Sequence, residues 1–490
     1  MTFLKDIFFY SGATISMQII SFLRGILIRI ILIPEILGIY NLIQVILGFV
    51  SVFDTGASAA ASRDLPILRG KNDIVNESLM RASVFWFTIG QSIIVGLGTI
   101  LYALFYISEY SSLEIIGFFI IAILLVISAV TNSFDIFYRS AQDYLSLSKI
   151  VFLMGFVEAG TYVFGAYLGG IYGLLTGVVV AALIKLIVSV FIGYKNGITI
   201  KMEFSIPMVK KLLAFGFPLR LVDYPMQYMV MADLLWVTKF MDLGSLAIYT
   251  TAQLFFKQSN QVCSTFGSVF ETRIIQHFGK HNSWEQSAKI LRKYLYLQLL
   301  VVVPILIWAC ATFIPFLIRQ FLPEYVSASG PIVYLMLGNF FIVTNSGLTI
   351  PWFIKGKLIS RGLANCIGLI STFLMLGFFW FVLKNHNLSS IAISVVSGYM
   401  SYFIYSLIFV GRELYSIKEI VRTLIIILLT AFYVGIIIVL GYSYTIEGQI
   451  FSRDLFRTAI IGIITLVGIF PVVIVGYKLS DYKKFINMLD

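Results

Sequence analysis

Four basic side chains lie inside long apolar stretches of the sequence, where a charge needs a polar or anionic partner. Arg24 and Arg29 fall in the first stretch, Arg220 in the seventh and Lys257 in the eighth. An arginine at the centre of a membrane-spanning helix costs roughly 2.5 to 3.5 kcal/mol, and it cannot avoid that cost by losing its proton. Because the guanidinium group binds phosphate or pyrophosphate bidentately, we predict that these residues bind a phosphate-bearing substrate.

Four acidic residues lie in or at the ends of the same stretches: Asp54, Glu158, Asp223 and Asp233. A carboxylate in the membrane can carry a proton or bind sodium, so Glu158, Asp223 and Asp233 are candidates for ion coupling. A purely structural interpretation stays open, because Arg220 and Asp223 are three residues apart on one helix and the other acids can neutralise the remaining cations. With Lys185 in the sixth stretch, five basic residues face these four acids, which predicts that at least one cation is left for a ligand.

The elements that position these side chains are predicted to be transmembrane helices. Hydrophobic residues make up 59% of the 490 residues and charged residues only 12%, which excludes a water-soluble globular protein. Apolar runs of about 20 residues match the hydrocarbon thickness of a bilayer, and the alternation typical of a membrane barrel is absent. The chain is therefore predicted to be an all-α integral membrane protein with about fourteen spans. The predicted spans are 7–33, 36–56, 82–106, 113–134, 150–168, 171–193, 212–236, 245–270, 293–318, 331–354, 362–383, 389–410, 423–442 and 457–477.

The distribution of basic residues predicts the orientation of these spans. Most of the 35 lysines and arginines fall in the N-terminal segment and every second loop after it, and cytoplasmic loops are the ones that retain such residues. Both termini are therefore predicted to be cytoplasmic, in the cytoplasmic (inner) membrane of the cell. The net charge of +11 is explained by attraction to anionic membrane lipids, so no nucleic-acid partner is predicted.

A weak internal repeat predicts two similar lobes. Leu37-Gly38-Ile39-Tyr40 recurs 209 residues later as Leu246-Ala247-Ile248-Tyr249, six spans further on. An even number of spans preserves topology, so the copies are expected to be parallel repeats. We therefore predict two pseudo-symmetric six-helix lobes at 1–211 and 212–411, followed by two additional helices and a cytoplasmic tail at 412–490.

Nothing in the sequence predicts an enzyme. The longest predicted connections, at 57–81, 194–211 and 271–292, are too short to form a catalytic domain. A membrane-embedded polysaccharide polymerase, which needs a large external loop, is therefore disfavoured. No nucleotide, metal or nucleophile motif occurs, so neither a catalytic residue nor a cofactor is predicted.

Several short motifs, in order, resemble the Wzx-type polysaccharide flippases of the MOP superfamily, which also contains the MATE exporters and the lipid II flippase MurJ. The resemblance covers roughly residues 5–410. Its motifs are Pro34-Glu35-Ile36-Leu37-Gly38-Ile39-Tyr40-Asn41, Asp54-Thr55-Gly56, Ala60-Ala61-Ser62-Arg63, Phe215-Gly216-Phe217-Pro218, Asp233, Ala247-Ile248-Tyr249 and Leu322-Pro323-Glu324-Tyr325.

This resemblance implies two six-helix lobes around a cationic cavity. It also implies that the protein moves an undecaprenyl-pyrophosphate-linked oligosaccharide, as in O-antigen (lipopolysaccharide), capsule or exopolysaccharide assembly, to the outer leaflet by alternating access. Arg24, Arg29, Arg220 and Lys257 would hold the pyrophosphate, H⁺ or Na⁺ would be the coupling ion, and other polysaccharide-assembly proteins would be partners. Two alternatives stay open: a MATE-like exporter of cationic drugs, which would expose acids rather than arginines, and a lipid II flippase.

Overall fold

The computed structural model describes residues 2–51, 53–108, 110–281, 284–343, 358–414, 416–444 and 451–480. Within these ranges the regular structure is helical, as predicted. Ten helices of the described chain are long and apolar enough to cross a membrane. The protein is therefore a multi-pass membrane protein.

The chain divides into two compact units, residues 1–224 and 225–490. The last helix of the first unit, α7 (Ile206–Phe240), continues into the second, and the division falls between Tyr224 and Pro225. The preceding helices of the first unit are α1 (Thr2–Ile31), α2 (Pro34–Ser51), α3 (Ala57–Gly70), α4 (Ile74–Phe105), α5 (Ser112–Ser140) and α6 (Tyr144–Lys195).

The second unit contains the remaining helices. A π-helical turn at Gln298–Val302 joins two of them, and a second π-helical turn, at Phe378–Val382, follows another. The helices are α8 (Leu243–His281), α9 (Trp284–Leu297), α10 (Val303–Phe321), α11 (Ser329–Ile342), α12 (Leu358–Gly377), α13 (Leu388–Leu414), α14 (Ile417–Ser443) and α15 (Phe451–Ser480).

The predicted spans correspond one by one to this helix order. Helix α6 supplies two spans, because Gly169 and Gly170 have non-helical backbone angles in its middle. Helices α9 and α10 are continuous through their π-helical turn and form one span, whereas α3 forms none. The end of the predicted tenth span, 331–354, lies outside the described residues.

Helices extend beyond several of the predicted spans into the predicted connections. The connection 57–81 contains α3 and the first two turns of α4, and α7 begins at Ile206 rather than at 212. Conversely, α2 ends at Ser51, so Asp54 lies in a turn after the helix rather than within a span. Charged, amphipathic stretches are good helices but have low hydropathy, and a search for apolar runs misses them.

Three helix ends in the first unit share one turn geometry. In each, an amide donates to the carbonyl five residues earlier: Asp73 to Leu68, Asp143 to Tyr138, and Ile198 to Gly193. Each turn has one left-handed residue, and these are Asn72, Gln142 and Gly197. This is the Schellman arrangement, which satisfies the last carbonyls of a helix.

Ion pairs fasten α14 and α15 to the rest of the second unit. Arg319 at the end of α10 forms a bidentate pair with Asp454 in the first turn of α15, at 2.8 and 3.1 Å. Arg292 of α9 pairs with Glu419 in the first turn of α14 at 2.5 Å. The two C-terminal helices are therefore an integral part of this unit.

Candidate anion-binding and ion-coupling sites

The first predicted anion-binding residue, Arg24, is paired with a carboxylate. Its Nη1 donates to Oε2 of Glu158 on α6, and its guanidinium carbon lies 4.5 Å from the centre of the Tyr162 ring. The side chains of Arg24 and Glu158 are 18% and 20% exposed. Glu158 neutralises this arginine, but both groups remain reachable.

Arg29 lies about one and a half turns further along α1. Its Nη1 donates to the carbonyl of Gly25 at 2.9 Å, and the side chain has further contacts in the structure. Tyr40 of α2 interacts electrostatically with both Arg24 and Arg29. The end of α1 and the start of α2 therefore form one polar region in the first unit.

Arg220 pairs with Asp54 and not with Asp223, the neighbour that sequence spacing suggested. Its Nη2 lies 2.5 Å from Oδ2 of Asp54, and its Nε is buried without a hydrogen-bond partner among the described residues. The hydroxyl of Tyr224, one turn further along α7, donates to the Asp54 carbonyl at 2.7 Å. Side chains from two successive turns of α7 therefore hold the turn after α2.

Two glycines allow this turn to approach α7. A Cβ added to Gly216 would overlap the carbonyl of Gly56, and the converse also holds. The guanidinium carbon of Arg63 on α3 lies 3.4 Å from the centre of the Phe215 ring. Motifs that are separated by about 150 residues in the sequence therefore form one contiguous region, which we call the α7 clasp: Asp54, Gly56, Arg63, Phe215, Gly216, Arg220 and Tyr224.

Asp233 lies at the centre of a buried polar network in the second unit. It is fully buried and accepts hydrogen bonds from the Leu234 amide at 2.8 Å, the Tyr249 hydroxyl at 2.9 Å and the Gln253 side chain. Oε1 of Gln253 and the hydroxyl of Tyr399 are buried without a hydrogen-bond partner among the described residues. A carboxylate beside unsatisfied oxygen atoms is a chemically suitable position for a proton or a small cation.

Lys257 lies one turn beyond Gln253 on α8 and differs from the predicted arginines. Its side chain is exposed, although it lies about 20 Å along α8 from Leu243, at 1.5 Å per residue. It interacts electrostatically with Asp233, but no described carboxylate lies within ion-pair distance. Lys257 is therefore the predicted cation most accessible to an anionic ligand.

Both copies of the predicted repeat contain a tyrosine near the start of a helix. Tyr40 and Tyr249 occupy the same position in α2 and α8, six residues after Pro34 and Leu243. Each tyrosine interacts with a charged residue on the preceding helix, namely Arg24 in the first unit and Asp233 in the second. The two copies of the repeat therefore place a tyrosine near residues of opposite charge.

Sequence reasoning missed several ion pairs that stabilise the helices. Arg319 lies one residue beyond the predicted ninth span and Asp454 three residues before the predicted last span, where a charge is common. Asp135, whose Oδ2 lies 3.8 Å from Nζ of Lys185, falls one residue beyond the predicted fourth span. Residue type and spacing alone gave no signal that these side chains meet.

The fold is similar to those of a solved flippase and of solved transporters of the MOP superfamily. It is similar to the lipid II flippase MurJ in an inward-closed conformation, with a TM-score of 0.62 and 17% identity over 93% of this chain and 97% of that one. It is also similar to an inward-facing MATE multidrug resistance transporter, with a TM-score of 0.60 and 14% identity over 83% and 96% of the two chains. An outward-facing MATE transporter gives a TM-score of 0.55 and 15% identity over 86% and 97%.

Within that fold, the chain belongs to the polysaccharide biosynthesis protein family, which it matches over residues 3–270. The matched region contains the α7 clasp, Asp233 and Lys257. No curated protein sequence matches the chain significantly.

Proposed function

We propose that this protein is a flippase, not an enzyme, that moves an undecaprenyl-pyrophosphate-linked oligosaccharide from the cytoplasmic to the outer leaflet by alternating access. The observation that carries the proposal is Lys257, an exposed cation deep within α8 without a described carboxylate partner. A cation at that depth requires an anion, and pyrophosphate is the anion that the lipid-linked substrates of polysaccharide assembly carry. Membership of the polysaccharide biosynthesis family supports the same substrate class.

The paired arginines have a second role in this proposal, because a ligand can exchange with their carboxylates. Arg24 and Glu158 are each about one-fifth exposed, and Arg220 and Asp54 are 27% and 28% exposed. A pyrophosphate group carries more negative charge than one carboxylate and offers more acceptor oxygens to a guanidinium group. We therefore assign Arg24, Arg29, Arg220 and Lys257 to substrate binding.

Ion coupling is assigned first to Asp233. Among the described carboxylates it is the most completely buried, and its neighbours Gln253 and Tyr399 retain buried polar atoms without a hydrogen-bond partner in the described part of the chain. Glu158 and Asp223 are the other proposed coupling residues, and H⁺ or Na⁺ is the proposed ion. Membrane lipids and other polysaccharide-assembly proteins are the proposed partners.

A cation exporter is the second candidate, because the pairing of Arg24 and Arg220 with carboxylates is what that function predicts. The burial of Asp233 and the exposure of Lys257 favour an anionic substrate instead. A lipid II flippase would carry the same pyrophosphate group, so it differs from the first candidate only in the sugar.

A charge exchange in a strain that lacks the native gene tests the proposal. Arg24→Ala should abolish surface polysaccharide, while lipid-linked oligosaccharide accumulates on the cytoplasmic side. The double variant Arg24→Glu/Glu158→Arg keeps the pair but moves the positive charge to α6, so we expect it to insert normally and still fail to transport. Restored transport in this double variant would show that the pair is only structural. Lys239→Ala removes an exposed cation at the end of α7 and is the matched control.

A further inference from the structure

Three large apolar side chains are exposed between the end of α6 and the start of α7. Met202, Phe204 and Ile206 are 91%, 54% and 60% exposed. They follow Ile198 and Ile200, which pack into the core of the first unit. Met202 lies at a bend and Ile206 begins α7, so the chain leaves the protein interior after Ile200 and exposes three apolar side chains.

Two hydrogen bonds hold this segment beside residues 83–86 of α4. The indole nitrogen of Trp86 donates to the carbonyl of Lys201 at 3.1 Å, and the amide of Ser205 donates to Oγ of Ser83 at 3.1 Å. Residues 82–105 of α4 contain no charged side chain. At 1.5 Å per residue they span about 36 Å, slightly more than the roughly 30 Å of the hydrocarbon core, so the boundary falls in the first turns of this run, where Trp86 lies.

Trp86 therefore lies at one boundary of the membrane, where tryptophan is enriched. The first three turns of α4, which contain Glu77 and Arg81, project beyond that boundary. The segment that is bonded to Trp86 and Ser83 consequently lies at the level of the lipid headgroups, on the side predicted to be cytoplasmic.

Basic side chains flank the exposed apolar residues. Lys201 is 56% exposed and is partly neutralised by Glu203 at 3.8 Å. Lys210 and Lys211 are exposed on the first turns of α7, while Val209 before them and Leu212 after them are buried. Apolar side chains at headgroup level beside lysines are typical of segments that bind anionic lipid surfaces.

We propose that residues 201–211 form an interfacial anchor, which inserts Met202, Phe204 and Ile206 below the headgroups of anionic lipids and places Lys210 and Lys211 among their phosphates. The anchor holds the start of α7 at the membrane surface. This inference does not depend on the identity of the transported substrate.

A nitroxide attached to Met202→Cys in the full-length protein tests the anchor. In vesicles of phosphatidylethanolamine and phosphatidylglycerol, we expect collisions with oxygen to dominate over collisions with a water-soluble nickel complex. The matched label at Thr199→Cys, an exposed polar position between Ile198 and Ile200, should collide mainly with the nickel complex. Wild-type protein treated with the same reagent measures the background from the native cysteines.

The dependence on lipid charge provides the second measurement. Replacement of phosphatidylglycerol by phosphatidylcholine, or the triple variant Lys201→Gln/Lys210→Gln/Lys211→Gln, should shift the Met202 label toward nickel accessibility. A label at Met202 that is as accessible to nickel as the Thr199 label in anionic vesicles would overturn the proposal. So would a label shielded from both reagents, since protein and not lipid would then cover this surface.

Discussion

The backbones of Gly56 and Gly216 touch, so that a methyl group on either residue would overlap the carbonyl oxygen of the other. Gly56 also has a φ of +83°, a conformation that glycine adopts without steric cost. This contact places the turn that contains Asp54 against α7, one helical turn before Arg220. The geometry of the α7 clasp therefore depends on two residues that have no side chain.

Gly216→Ala should destabilise the protein by about 1–3 kcal/mol, because the added methyl group forces the Asp54 turn away from α7. Thermal unfolding of the purified protein in detergent measures the change. Gly98→Ala in α4 is the matched control, since a Cβ at Gly98 meets no atom within 4 Å, and alanine in an open helical position is neutral or slightly stabilising. Equal unfolding temperatures for the two variants would contradict the close approach.

Gln142→Gly should stabilise the protein by about 0.5–1 kcal/mol. Gln142 has a φ of +58° in the turn between α5 and α6, and a residue with a Cβ pays a steric cost there that glycine avoids. Gln142→Val should have the opposite effect, because a β-branched side chain is poorly tolerated at positive φ. Unfolding temperatures of the two variants, compared with wild type, test the sign in each case.

Arg319→Ala and Asp454→Ala should each destabilise the second unit by about 3–5 kcal/mol, since each leaves a buried charge without its partner. The Arg319 side chain is 6% exposed and the Asp454 side chain is 4% exposed. The double variant should cost less than the sum of the single ones, and unfolding measurements on all three variants give the coupling energy. Strict additivity would show that the pair does not hold α15.

Asp233→Asn should uncouple transport from its driving ion without preventing insertion. Asparagine has the shape of aspartate and can keep the hydrogen bond from the Tyr249 hydroxyl, but it carries no exchangeable charge. Transport into vesicles under an imposed proton or sodium gradient measures the effect, with Tyr249→Phe as a variant that keeps the carboxylate. A full response to the gradient in Asp233→Asn would exclude Asp233 as the coupling residue.

Hydropathy was sufficient to predict the order of the long apolar helices but not α3, because burial in lipid demands about twenty apolar residues for each span. It also placed Arg24, Glu158 and Asp233 within the membrane. It could not assign partners, since Arg24 and Glu158 lie 134 residues apart and meet only when α1 packs on α6. The spacing of Arg220 and Asp223 was compatible with a local pair, whereas the structure pairs Arg220 with Asp54 in the turn after α2.

The α7 clasp shows a second limit of sequence reasoning. Five of its seven residues, all but Arg220 and Tyr224, were present in the motifs that resemble the flippase family, but a short motif does not reveal that it contacts another. The two glycines gave the only physical signal, since glycine marks positions of close backbone approach. That signal becomes specific only when both partners of the contact are known.

The central claim is that a cation within the membrane binds the pyrophosphate of a lipid-linked oligosaccharide, and Lys257 tests it most directly. The measurement is the rate at which reconstituted protein moves undecaprenyl-pyrophosphate-linked oligosaccharide across vesicle membranes. Loss of a charged hydrogen bond, worth about 1.5–3 kcal/mol, should slow Lys257→Gln by roughly ten-fold or more, while Lys257→Arg and the control Lys239→Gln should retain most of the rate. A correctly folded Lys257→Gln variant that transports at the wild-type rate would contradict the account.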